Sequence, residues 1–152
     1  MNHRRLALRA LSISSLLVVG ACGMAPMASS PTPPTALTAQ LSGASEVPAV
    51  VTGAAGTVEA RLDPNTNLLT WKITYSGLSG PATGAHFHGP AMAGQNAGVV
   101  VPIGAPLASP INGTATLTPS QAADLTAGKW YVNLHTAANP GGEVRGQVGV
   151  AR

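Results

Sequence analysis

The sequence predicts an all-β domain, an antiparallel Greek-key sandwich or flattened barrel with one short connecting helix. Three observations lead there. Two consecutive segments alternate apolar and polar residues on either side of a turn-rich loop, the pattern of a hairpin with one buried face. About seven or eight short strand-like segments recur between Gly/Pro-rich turns, the spacing of sandwiches and barrels. With 18 glycines, 13 prolines and 9% charged residues in 152, the composition suits a small β-protein rich in turns. This length allows one domain.

The elements follow in order. Residues 1–21 read as a leader: His3, Arg4, Arg5 and Arg9 are basic, and Leu11 to Val19 is apolar but too short to span a bilayer. The leader ends in Val19-Gly20-Ala21-Cys22. A small residue before a cysteine, after an apolar run, resembles the lipobox of bacterial lipoproteins, which implies cleavage before Cys22 and a lipid on its sulfur. Residues 22–36 form a Pro/Ser/Thr-rich tether with no apolar period. Fully extended at about 3.1 Å per residue, such a tether reaches roughly 40 Å.

Residues 37–152 form the folded domain. Leu37 to Ser42 is the first strand, and Ala44 to Val51, with Glu46 and Pro48, is a loop. Gly56 to Asp63 places Val58, Ala60 and Leu62 on one face. After the turn residues Asp63-Pro64-Asn65-Thr66-Asn67, Leu68 to Tyr75 turns Leu69, Trp71, Ile73 and Tyr75 inward. A turn at Gly77 to Pro81 precedes a strand from Thr83 to His88. A Gly/Pro/Ala loop from Gly89 to Gln95 leads to an apolar run from Ala97 to Ile103, where Pro102 marks a sheet edge or strand end. Ile111 to Leu117 alternates again. Thr118-Pro119-Ser120-Gln121 sets out a capping box with proline in the first turn, so a short helix runs to Ala127 and stops at Gly128. Lys129 to Thr136 and Glu143 to Val150 are the last strands.

Charge narrows the function. Three of the eight basic residues lie in the leader, and beyond it five basic and five acidic residues balance. The pI near 9.6 therefore belongs to the leader and gives no argument for nucleic-acid binding. The single cysteine is assigned to lipid, so no disulfide supports the fold. The sequence shows no nucleophile–base pair, phosphate loop or paired carboxylates. It reads as a binding module rather than an enzyme.

The histidines carry what chemistry there is. His86 and His88 are two apart on one strand and so share a face, opposite Ala85 and Phe87. His135 shares a face with Tyr131 and Asn133, opposite Trp130, Val132 and Leu134. All three thus point away from the apolar core. A His-x-His strand plus one distant histidine is a way to build a copper or zinc site from neutral imidazoles. Met92, in the following loop, is a further candidate ligand that would favour Cu(I). Tyr131 and Asn133 share the face of His135, and Glu143 and Arg145 share one face of the last strand; these four are candidate supporting residues. Glu143 and Arg145 are expected to pair with each other, or with groups near His135, at the surface. The alternative use of the histidines is structural, holding loop backbone in an adhesion or protein-interaction domain. A small copper-dependent redox enzyme is a third reading.

Several runs resemble the CHRD (chordin) domain: Ala39 to Pro48; His86-Phe87-His88-Gly89-Pro90-Ala91 with Gly94 to Val100; Leu117 to Leu125; and Tyr131 to Gln147, including Tyr-Val-Asn-Leu-His-Thr and Glu-Val-Arg-Gly-Gln. Phe87 stands where that family often has Ile or Val. The resemblance implies an immunoglobulin-like or superoxide-dismutase-like sandwich. The family occurs in extracellular animal proteins that bind growth factors and in bacterial secreted proteins. A looser similarity is to Cu/Zn superoxide dismutase, whose copper site also uses a His-x-His strand on the outside of a Greek-key barrel. This chain lacks that enzyme's bridging histidine, zinc loop and disulfide. The combined expectation is a lipid-anchored module of the cell envelope, on the outer membrane or its periplasmic or extracellular face. The membrane is its partner through Cys22, and an envelope protein is a possible second.

Overall fold

A computed structural model describes residues 30–152. The leader and the lipidation of Cys22 lie outside the described residues. Eight strands form one antiparallel sheet: β1 (Thr35–Ser42), β2 (Ala55–Leu62), β3 (Leu68–Ser76), β4 (Ala82–His88), β5 (Val99–Pro102), β6 (Ile111–Thr116), β7 (Trp130–Thr136) and β8 (Val144–Val150). Their order is β5-β4-β7-β8-β1-β2-β3-β6. The sheet curls over its own apolar face into a nearly closed barrel. Trp71 of β3 meets Phe87 of β4 edge to face, with centroids 5.1 Å apart, although the two strands are far apart in strand order.

Alternation placed the core correctly. Val58, Ala60, Leu62, Leu69, Trp71, Ile73, Ala85, Phe87, Trp130, Val132 and Leu134 are all buried in it, Tyr75 is partly buried against it, and Leu37, Ala39 and Leu41 of β1 join them. The hairpin of β2 and β3 pairs in perfect register from Ala55↔Ser76 to Leu62↔Leu69. Its loop is closed by the Asn67 N–H donating to the Asp63 carbonyl, while the Asp63 carboxylate accepts from Asn65. Strand β1 begins at Thr35, two residues before the expected Leu37, because β2 is long enough to pair with the extra residues. Strand β5 is a sheet edge, as Pro102 indicates, since its missing N–H could not serve a second neighbour.

The helix α1 (Pro119–Thr126) is capped as expected. The Thr118 hydroxyl accepts from the Gln121 N–H, and the Gln121 side chain accepts from the Thr118 N–H. Gly128, at φ 74°, ends it in the left-handed region. Eight residues would not hold alone. Ala122 and Leu125 anchor the helix in the barrel core.

Phe87 lies between the two histidines of β4 in sequence and packs against both Trp71 and Trp130. Phe87→Ala is expected to lower unfolding free energy by about 3–5 kcal/mol, read as a shift in the midpoint of chemical denaturation.

Candidate metal centre

Register lays out the outer face of β4, β7 and β8 as a grid. His88, Tyr131 and Gln147 form one row across the three strands; His86, Asn133 and Arg145 form the next. His135 lies one row further along β7, opposite Gly84. A Cβ on Gly84 would sit 3.4 Å from both His86 Cε1 and His135 Cδ2. Beside this position the two rings meet: His86 Nδ1 is 3.1 Å from His135 Nε2. His86 and His88 pack edge to face, 5.5 Å between centroids. One ligand nitrogen from each of the three rings lies within 4.8 Å of the others, close enough to hold a metal ion. In a tetrahedral zinc site neighbouring donors are about 3.3 Å apart, so the His86–His135 edge is already nearly at coordination distance.

The partners of these rings set their tautomers. His88 Nδ1 is 2.9 Å from the Ala97 carbonyl, which can only accept, so Nδ1 carries the proton and Nε2 the lone pair. That Nε2 is buried and has no hydrogen-bond partner among the described residues. His135 Nδ1 is likewise 3.0 Å from the Pro140 carbonyl, which leaves its Nε2 lone pair facing His86. A backbone carbonyl on one ring nitrogen and a free lone pair on the other is the arrangement of a metal-binding imidazole. Burial, helped by the other imidazoles, holds His86 below the usual histidine range. Burial also lowers His135, though its bond to Pro140 works the other way. Both rings are thus kept neutral, the form that binds metal.

Although these side chains point away from the apolar core, the face they share is only partly solvated: His88 is buried, and His86 and His135 are half-buried. Loops 43–54 and 89–98 cover it. Arg145 is 2% exposed, and its guanidinium donates to the Gln95 carbonyl and to Asn96 Oδ1. It also lies over the Tyr131 ring, 3.3 Å from the centroid. Tyr131 in turn stacks flat on His88, centroids 4.7 Å apart. Strand β7 runs between β4 and β8, so the phenol is sandwiched between imidazole and guanidinium. The Tyr131 hydroxyl and His88 Nδ1 both reach the Ala97 carbonyl, so one loop residue clamps both stacked rings. Asn133 Oδ1 lies 3.0 Å from His135 Nε2.

Two expectations are corrected. Glu143 and Arg145 do not pair, and neither is at the surface. Strand β8 starts at Val144, which leaves Glu143 outside the ladder and fully buried. Its carboxylate accepts from the Ser79 hydroxyl and N–H, from Thr136 and from Thr52. It therefore ties the 77–81 turn and the 43–54 loop to β7, rather than serving the histidines. Met92 is 56% exposed, in the loop between β4 and β5.

One residue was not singled out from the sequence. Glu46 is buried against Asn133 and Gly142; a Cβ on Gly142, at φ 128°, would strike both the Glu46 carboxylate and the Asn133 amide. Burial raises the Glu46 carboxyl above its usual range, while the Arg145 charge, the Val47 N–H and the Asn133 amide pull it back. Nothing in the spacing around Glu46 marks it as buried. The only signal was its place in the Ala39–Pro48 run.

In comparisons with known proteins, the family model described as CHRD domain matches residues 37–148. No curated protein and no solved structure matches.

Burial is the largest influence on Glu143 and would raise its carboxyl, but the bonds from Ser79, Thr136 and Thr52 outweigh it and hold it at about 2. A carboxyl with a depressed folded pKa stabilises above its unfolded value, about 4.3. That stabilisation is lost as pH falls toward 2. Glu143→Gln is expected to cost about 1–3 kcal/mol at neutral pH. In urea melts, the gap between the two proteins should close between about pH 4.3 and pH 2; a gap constant over that window would contradict this role.

Proposed function

The chain belongs to the CHRD domain family, and from that membership and the histidine cluster we propose that it is a metal-binding module of the cell envelope, holding one copper or zinc ion on His86, His88 and His135. The observation that carries this is the buried, unpartnered Nε2 of His88 beside two further imidazole nitrogens. An unsatisfied buried polar atom costs free energy unless something occupies it. Here the groups around it are lone-pair donors of the kind that bind Zn and Cu. The ion would be held through neutral imidazoles, and the carbonyls of Ala97 and Pro140 would fix the ring orientations. An open coordination position would remain for water or an exogenous group.

The envelope location rests on the lipobox-like Val19-Gly20-Ala21-Cys22 and the Pro-rich tether after it. A second reading has its own support: His88 and His135 each hold a loop carbonyl, which alone could fasten the loops of a protein-interaction domain. The two readings diverge under chelation, since interaction with an envelope partner would survive it.

Purified protein loaded with Cu(II) or Zn(II) and desalted should retain close to one ion per chain by elemental analysis. His88→Ala and His135→Ala should each weaken binding by at least about 100-fold, beyond the 10–100-fold typical of residues that merely support ligands. Sub-stoichiometric metal in the parent, unchanged in both variants, would sink the metal reading. For the anchor, a lipid label should enter the parent chain and not Cys22→Ala, and only the variant should leave the detergent phase.

A further inference from the structure

The donors and acceptors around His135 do not balance, and the imbalance names a fourth ligand. A neutral imidazole has one N–H and one lone pair. His135 has an oxygen acceptor at each end: the Pro140 carbonyl 3.0 Å from Nδ1, and Asn133 Oδ1 3.0 Å from Nε2. Whichever tautomer is chosen, one ring nitrogen faces an oxygen lone pair to lone pair. Turning the Asn133 amide over would not relieve this freely. Its nitrogen is the atom beside the Glu46 carboxylate, so a flip would set the amide oxygen against that carboxylate. His86 Nδ1, 3.1 Å from the same Nε2, brings at most one proton and cannot serve the Asn133 contact. A cation lying between them would satisfy such a convergence of lone pairs.

Resting on the metal reading above, we propose that Asn133 is a direct ligand, its Oδ1 completing a three-nitrogen, one-oxygen donor set with His86, His88 and His135. The spacing agrees. The 3.0 and 3.1 Å separations around His135 Nε2 are close to the edges of a tetrahedron with bonds of about 2.0–2.2 Å. Asn133 sits on the middle strand of the face, directly opposite His86, so the rigid sheet delivers it without any loop movement. The donor set also selects the ion. An amide oxygen is a hard donor, which favours a divalent ion and disfavours Cu(I), and the soft sulfur of Met92 is not part of the set.

The test uses the full chain loaded with Zn(II), and the same chain titrated with Cu(II) and with Cu(I). A crystal structure of the zinc form should place Asn133 Oδ1 at about 2.0–2.2 Å from the ion. Asn133→Asp, the same shape with a charged oxygen, should tighten divalent binding. Asn133→Leu should weaken Zn(II) by about 10–100-fold while leaving Cu(I) nearly unchanged, and Met92→Leu should alter neither. An ion held by three histidines with water in the fourth place, and Oδ1 beyond 3 Å, would overturn the Asn133 assignment and leave the metal reading intact. A parent chain that retains no ion would overturn both.

Discussion

The outer face of this barrel depends on the burial of one guanidinium. Arg145 sits on β8 with almost no exposure and no carboxylate in contact. A charge in that position is costly unless it is hydrogen-bonded. The fold gives it two acceptors on the 89–98 loop, the Gln95 carbonyl and Asn96 Oδ1, and lays its plane on Tyr131. From there the constraint spreads. The loop drawn down by Arg145 carries the Ala97 carbonyl, which fixes His88 and Tyr131 together. Asn96 also donates to the Val47 carbonyl, so the loop that carries Glu46 is tied in by the same residue. Lysine could not replace Arg145 here, because the stack and the forked donation both need a planar group.

The result is a sheet with two interiors. One face of β7 packs Trp130, Val132 and Leu134 into the apolar core; the other buries Tyr131 and Asn133 under loops. The histidines therefore stand on strands that are packed on both sides, which fixes ring positions better than a loop would. A separate polar junction around Glu143 holds the other end of the face, joining Thr52, Ser79 and Thr136. Its independence from the histidine cluster matters. The strands that carry the cluster are held without borrowing its donors, so the imidazole lone pairs stay available.

Much of this was legible in the sequence, and the limits are physical. Period-2 alternation fixes which residues share a face, so the core of β2, β3, β4 and β7 and the common side of the three histidines could be read directly. The capping box placed α1 to within a residue, because its hydrogen bonds span only Thr118 to Gln121. Alternation says nothing of what covers a face. Loops 43–54 and 89–98 have no period, and their descent onto the sheet is what buries Arg145 and Glu46. Parity put Glu143 and Arg145 together. It could not show that the ladder begins at Val144, which sends Glu143 to hydroxyl partners from distant turns. The convergence of His86 with His135 was open for the same reason. It depends on β4 and β7 being neighbours and on the register between them, both properties of the assembled sheet.

A preassembled set of lone pairs has an energetic consequence for the domain as a whole. In the unfolded chain each imidazole and the Asn133 amide is hydrated, and none repels another. Folding brings His135 Nε2 to 3.1 Å from His86 Nδ1 and 3.0 Å from Asn133 Oδ1, and a His86 proton can serve only the first contact, so without a cation the second is unfavourable. The barrel core and the buried junctions around Arg145 and Glu143 must supply the difference. An ion that binds only the folded arrangement returns it, because binding to the native state alone stabilises that state by mass action. Proton uptake can offset the same repulsion, but here burial works against charging His86 and His135. A metal ion bound there would compete with protons, and the carbonyls of Ala97 and Pro140, by holding the Nδ1 protons of His88 and His135, would leave the Nε2 lone pairs to the metal.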